Sequence, residues 1–217
     1  MKIYAQETNK SCGVACIRSA INHYGGNFSE KDIWEKTKPF TSENTGILNP
    51  ILNMGITALK FGFDVTYIGY EPTITQNNSS EDLLKSLKQK SKTYYGYGKF
   101  IIDNSLEFIK LGGKIKIDIP NIEKIKKIVD KNKFIIVEVS PIFLNKNATN
   151  RNMRHKIIIN GYTKTSFKVL DPSKARKYNL NFDKFLLAFY SANPELLIIK
   201  PKKNYIRNLT NCPIAPA

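Results

Sequence analysis

The last third of the chain constrains its architecture most. Four β-branched or apolar runs, at 134–139, 156–162, 167–170 and 196–199, are separated by short connections. Such runs read as strands, and short connections favour antiparallel pairing. The residues before them follow a helical period instead. Val14, Ala15, Ile17, Ala20 and Ile21 place one apolar stripe on a helix over 11–24, ended by Gly25-Gly26. Ser29 and Asp32 have the spacing of a capping box, and so do Ser79 and Asp82 ahead of a helix reaching Lys90. Pro50 suits the first turn of a third helix to about Lys60. Phe63 to Tyr70 alternates as a strand. Tyr94 to Gly98 reads as a loop, 104–111 as a helix, and Ile122, Ile125, Ile128 and Val129 as one helix face with lysines opposite. Residues 183–189 make a short helix. Helices first and an antiparallel sheet afterwards give an α+β fold.

The chain has 217 residues, 41% of them hydrophobic, enough for one domain with a sizeable core. The domain is expected over 1–200, with 201–217 as a tail. No apolar run approaches the roughly 20 residues of a membrane span. Met1 to Gln6 lacks the apolar core of an export signal, so the expected location is the cytosol, with an exported effector as the alternative. The net charge of +16 is compatible with an acidic partner. The lysines are dispersed and no nucleic-acid motif accompanies them, so a solvated basic surface is the plainer reading and no specific nucleic acid is expected.

Three cysteines, Cys12, Cys16 and Cys212, do not suggest a disulfide framework. Two histidines supply a zinc cluster poorly, and no metal or other cofactor is expected. Cys12 falls in the first turn of the first helix, where the helix dipole favours a thiolate. Gly13 beside it would let a substrate approach the backbone. Gln6 lies in the loop leading in, where its amide could donate to a developing oxyanion together with the Cys12 N–H. Alone, these residues read more readily as a buried structural cysteine and a surface glutamine. A thiol nucleophile usually needs an imidazole. His23 lies eleven residues along the same helix, about 16 Å away at 1.5 Å per residue, out of reach. His155 heads the strand His155-Lys156-Ile157-Ile158-Ile159, and Asp171-Pro172 closes the next one. If 160–165 is a turn, the two strands form a hairpin. Asp171 then lies near His155 and can fix its tautomer. Cys16 reads as a small packed residue.

These motifs resemble the papain-like cysteine peptidases, and most of all the bacteriocin-leader (double-glycine) peptidases and their stand-alone relatives. The resemblance rests on Gln6, Cys12-Gly13-Val14-Ala15-Cys16, His155, Gly161-Tyr162 and Asp171-Pro172. It implies a papain-like fold cleaving a peptide or isopeptide bond of a peptide or protein substrate. In that reading Cys12 is the nucleophile, His155 the acid and base, Asp171 the orienting carboxylate and Gln6 the oxyanion donor. Ser11 stands where an acidic residue is commoner, and 71–121 reads as an insertion. Two alternatives stay open: an acyl or peptidyl transferase like phytochelatin synthase, and a non-catalytic peptide-binding module.

Overall fold

The computed structural model describes residues 1–43, 46–70, 80–131, 134–145, 148 and 153–202. The chain opens with α1 (Cys12–His23) and α2 (Glu30–Lys36). The box at α2 is complete: Ser29 Oγ accepts from the Asp32 N–H, and the Asp32 carboxylate accepts from the Ser29 N–H. A small hairpin, β1 (Phe40–Ser42) and β2 (Gly46–Leu48), follows. Next come α3 (Ile51–Lys60) and β3 (Phe63–Gly69). Pro50 is the N-cap of α3, one position ahead of the first-turn site expected for it.

The next elements are α4 (Ser80–Lys90), α5 (Gly96–Lys110) and β4 (Lys114–Ile117). Gly96 starts α5, so the tyrosine–glycine run is half helix, contrary to the loop expected there. Gly96 has φ +56°, which its missing Cβ permits. The box expected at Ser79 and Asp82 lies outside the residues whose side chains are described. The rest comprises α6 (Ile122–Lys131), β5 (Phe134–Val139), β6 (His155–Tyr162), β7 (Ser166–Asp171), β8 (Arg176–Asn181), α7 (Phe182–Tyr190) and β9 (Leu196–Pro201). The expected tail beyond β9 lies, from residue 203, outside the described residues.

Seven strands form one sheet in the order β4-β3-β9-β5-β6-β7-β8. The sheet is mixed rather than antiparallel: β3 and β4 run parallel. Their connection passes through α4 and α5, the kind of helical crossover that parallel neighbours require. Helices cover both faces. Phe134, Ile136, Ile158, Leu170, Leu197 and Ile199 point into a core with α1 and α3. Ile135, Val137, Ile157, Ile159, Val169 and Leu196 point the other way, into a core with Phe185 and Phe189 of α7 and Ile125 of α6. Two covered faces explain why β5 is buried along its whole length and reads as an apolar run broken only by Glu138. The class is α+β, helices plus one large mixed sheet.

Candidate active site

The candidate site lies where α1 meets the edge of β6. The loop ahead of α1 is tied down at several points. Gln6 N–H donates to Pro172 O at 2.9 Å, linking it to the turn after β7. The buried Glu30 carboxylate accepts the Glu7 N–H at 3.1 Å on both oxygens. Ser11 Oγ donates to Thr8 O and accepts from the Thr8 N–H, each at 3.0 Å, so it closes the loop and leaves the helix end uncapped. Cys12 is therefore the first helical residue, at the positive end of the α1 dipole.

β6 and β7 do form the expected hairpin, with a bulge between Ile159 and Gly161. The hairpin delivers His155 Nε2 to 2.8 Å from Asp171 Oδ1. The Cys12 thiol is hydrogen-bonded to the same imidazole. With Nε2 committed to the carboxylate, Nδ1 is the nitrogen left for sulfur. Asp171 is 2% exposed and held on every side. Its Oδ1 also accepts from the Ser173 N–H at 2.8 Å, and Oδ2 accepts from Arg176 Nη2 and Tyr178 OH, each at 3.3 Å.

Electrostatics follow from this packing. Burial pushes the Cys12 thiol up, but the hydrogen bond and charge of His155 oppose it. With help from the Lys156 ammonium and backbone N–H, they bring the thiol down to about 7. Burial would lower His155, yet Asp171 and Cys12 raise it to about 9. Burial would raise Asp171, but His155 and Ser173 draw it down to about 2. Burial first, then the Asp171 charge, raises the Tyr178 hydroxyl, so it stays a donor. The arrangement favours a thiolate beside an imidazolium.

Gln6 lines the same cleft of about 370 Å³ as Cys12, His155 and Asp171, with Pro141, Leu144 and Met153 on another wall. Its Nε2 donates to Thr8 O at 2.7 Å. Its Oε1 is buried without a hydrogen-bond partner among the described residues. Gly13 does not face a substrate: a Cβ there would come within 2.7 Å of Met54 Sδ, so the missing side chain serves α1–α3 packing. Cys16 is buried, and its Sγ donates to Lys156 O at 3.5 Å. His23 ends α1 against Tyr24 and Phe134, away from this cleft. Among the described residues no cluster of His, Cys, Asp or Glu is built to hold a metal ion.

Sequence reasoning missed the polar collar of Asp171. Arg176 and Tyr178 sit on β8, whose Arg176–Asn181 sequence lacks an apolar run. Ser173 carried a signal: an aspartate commonly accepts the amide two residues on. Lys156 was passed over as part of a strand, though it is 6% exposed with its Nζ 2.6 Å from Glu138 Oε2.

A cysteine at a helix start, answered by a histidine and an aspartate from an opposing sheet, is the layout of the papain-like cysteine peptidases. The chain belongs to the Peptidase_C39 like family, which matches residues 1–194; it is a cysteine peptidase. It is similar to the peptidase domain of Streptococcus ComA, a bifunctional ABC transporter involved in quorum sensing. That likeness has a TM-score of 0.51 at 17% identity, over 93% of this chain and 98% of the other. A double-glycine-motif protease from an AMS/PCAT transporter, solved in complex with its leader peptide, matches at TM-score 0.47 and 13% identity, over 92% and 91% of the two chains. A putative C39-like peptidase from Bacillus anthracis matches at TM-score 0.47 and 14% identity, over 92% and 94%. No curated protein sequence matches the chain. Among the described residues, no helix is long and apolar enough to cross a membrane.

Proposed function

We propose that the chain cleaves a peptide or isopeptide bond through a Cys12–His155–Asp171 triad and a thioester intermediate. The carrying observation is the relay itself: a thiol hydrogen-bonded to an imidazole whose far nitrogen is 2.8 Å from a buried carboxylate. The Cys12 thiolate attacks the carbonyl carbon, and the resulting oxyanion accepts from the Cys12 N–H and from Gln6 Nε2. That N–H belongs to the first turn, where backbone donors have no intrahelical acceptor. Thr8 O holds one Nε2 hydrogen and thereby orients the other. Imidazolium His155 protonates the leaving amine, the C–N bond breaks, and an acyl-thioester remains on Cys12. His155 then takes a proton from water as the water oxygen attacks, and the tetrahedral intermediate expels the thiolate. Asp171 keeps its charge throughout and fixes the tautomer.

Cys12→Ala should abolish turnover of a peptide substrate and leave the circular dichroism spectrum unchanged. Intact-protein mass spectrometry of the wild type should catch a substrate acyl group on Cys12. A limiting alkylating agent should label Cys12 before Cys16 or Cys212; equal labelling of all three would refute the proposal. Adding a competing amine separates hydrolysis from transfer, because only a transferase channels the acyl group to it.

A further inference from the structure

Gln6 stands in the irregular segment ahead of α1, outside any helix or strand. Among the described residues its side-chain amide is held at one point: Nε2 donates to Thr8 O at 2.7 Å, and Oε1 meets no partner. The aim of that amide therefore depends on the backbone beneath it. Both peptide units that flank the Gln6 Cα are fixed. On one side the Gln6 N–H donates to Pro172 O at 2.9 Å. On the other, the peptide joining Gln6 to Glu7 gives its N–H to the two carboxylate oxygens of Glu30, each at 3.1 Å. Peptide units are planar, so gripping both sets φ and ψ of Gln6 and the direction of its Cα–Cβ bond. Glu30 opens α2 and is 1% exposed. A carboxylate in so dry a place is costly unless it is hydrogen-bonded, and an apolar side chain there could not hold a backbone N–H.

We propose that Glu30 is a positioning residue that aims the Gln6 amide at the oxyanion. The inference rests on the reading of Gln6 as the oxyanion donor. Such donors act by being in place before the charge develops, and a misplacement of about 1 Å can cost roughly a hundredfold in rate. Glu30 does not line the cleft, so it acts through Gln6 and not on the substrate. Because α2 packs against α1, the Glu30 tie refers the loop to the helix that carries Cys12. The Pro172 tie refers the same loop to the turn beside Asp171. A third contact, Arg18 Nη1 to the Glu7 carboxylate at 3.0 Å, grips a side chain that is 58% exposed and not the peptide itself. A solvent-facing pair of that kind holds geometry weakly. The buried carboxylate is thus what fixes the peptide that follows Gln6.

The test compares two reactions of the Cys12 sulfur. p-Nitrophenyl acetate acylates it: the thiolate adds to the ester carbonyl, an oxyanion forms and collapses, and p-nitrophenolate departs to leave an acetyl thioester. Iodoacetamide alkylates it by displacing iodide at a saturated carbon, with no oxyanion. Ester cleavage by Cys12→Ala is subtracted as background. Glu30→Met keeps the side-chain length and removes the acceptor. It should slow acylation about ten- to hundredfold and leave alkylation unchanged. Glu30→Gln keeps an acceptor for the Glu7 N–H and should bring acylation back to within about threefold of the wild type. In a Gln6→Ala background, itself slowed about a hundredfold, Glu30→Met should add no further loss, because the two act as one unit. If Glu30→Met does not fold, Glu30→Ala gives the same reading. Acylation at the wild-type rate in the folded variant overturns the proposal, and so does equal slowing of alkylation or an additive loss in the double variant. Each of these leaves the oxyanion reading intact as long as Gln6→Ala is slow. Gln6→Ala acylated as fast as the wild type sinks that reading and this inference with it.

Discussion

At the residue scale the site is a problem of charge in a dry place. Cys12, His155 and Asp171 are each held in the ionic state that burial alone would oppose, and each pair supplies the reason for the other. Peptide turnover should rise as pH passes about 7 and fall again as His155 loses its proton near 9, giving a bell, whereas alkylation of Cys12 should rise on the same acid limb and stay high. Stability has its own window. Asp171, lowered from 3.8 to about 2, contributes above 3.8 and loses that contribution as pH falls through about 2. His155, raised from 6.5, contributes fully below 6.5 and ceases to as pH rises through about 9. Cys12, lowered from 9.0 to about 7, contributes fully above 9 and loses that contribution as pH falls through about 7, so it offsets the His155 loss on the alkaline side. Urea midpoints should therefore fall chiefly on the acid side, as pH drops from 3.8 through about 2. Asp171→Asn keeps the shape but frees the imidazole to adopt the wrong tautomer. It should cut kcat by roughly 10²- to 10⁴-fold with little change in KM, measured by steady-state kinetics. The placement of these three residues was legible because a helix start, a strand start and a strand end are each marked in sequence. The buried lysine was not, since nothing local distinguishes Lys156 from a lysine on a solvated strand face until the pairing of β5 and β6 is known.

At the scale of elements, legibility followed the strength of local signals. The Ser29 box spoke for itself, and the structure holds both of its hydrogen bonds. Ser29→Ala should cost about 1 kcal/mol. For a chain this long that is a fall of roughly 2–4 °C in Tm by calorimetry, with alkylation of Cys12 unaffected. β4 and β8 escaped notice because both are edge strands. Lys114–Ile117 alternates lysine with isoleucine over four residues, and Arg176–Asn181 buries one side chain fully, Leu180. Edge strands are short and charged for a physical reason: an exposed row of unpaired amides invites aggregation. The devices that protect an edge also erase the apolar signature by which a strand is found.

At the scale of the molecule, the mixed sheet comes from pairings that no local pattern encodes. Strand β3 precedes β9 by more than a hundred residues, yet the two lie side by side from Phe63↔Pro201 to Ile68↔Leu196. The crossover helix α5 is anchored by Phe108, fully buried, whose ring would meet a Cβ on Gly55 of α3 at 2.7 Å. Phe108→Ala should cost about 3–5 kcal/mol, read from urea denaturation. The position of β9 also governs when the sheet can close. It joins β3 on one side to β5 on the other, and so unites the half bearing α3 and β4 with the half that presents the imidazole. On the ribosome the sulfur emerges some 184 residues before β9 does. Until then the sheet is two unjoined fragments. A hydrolase of peptide bonds whose sheet is bridged by β9 completes that sheet only after β9 has been made.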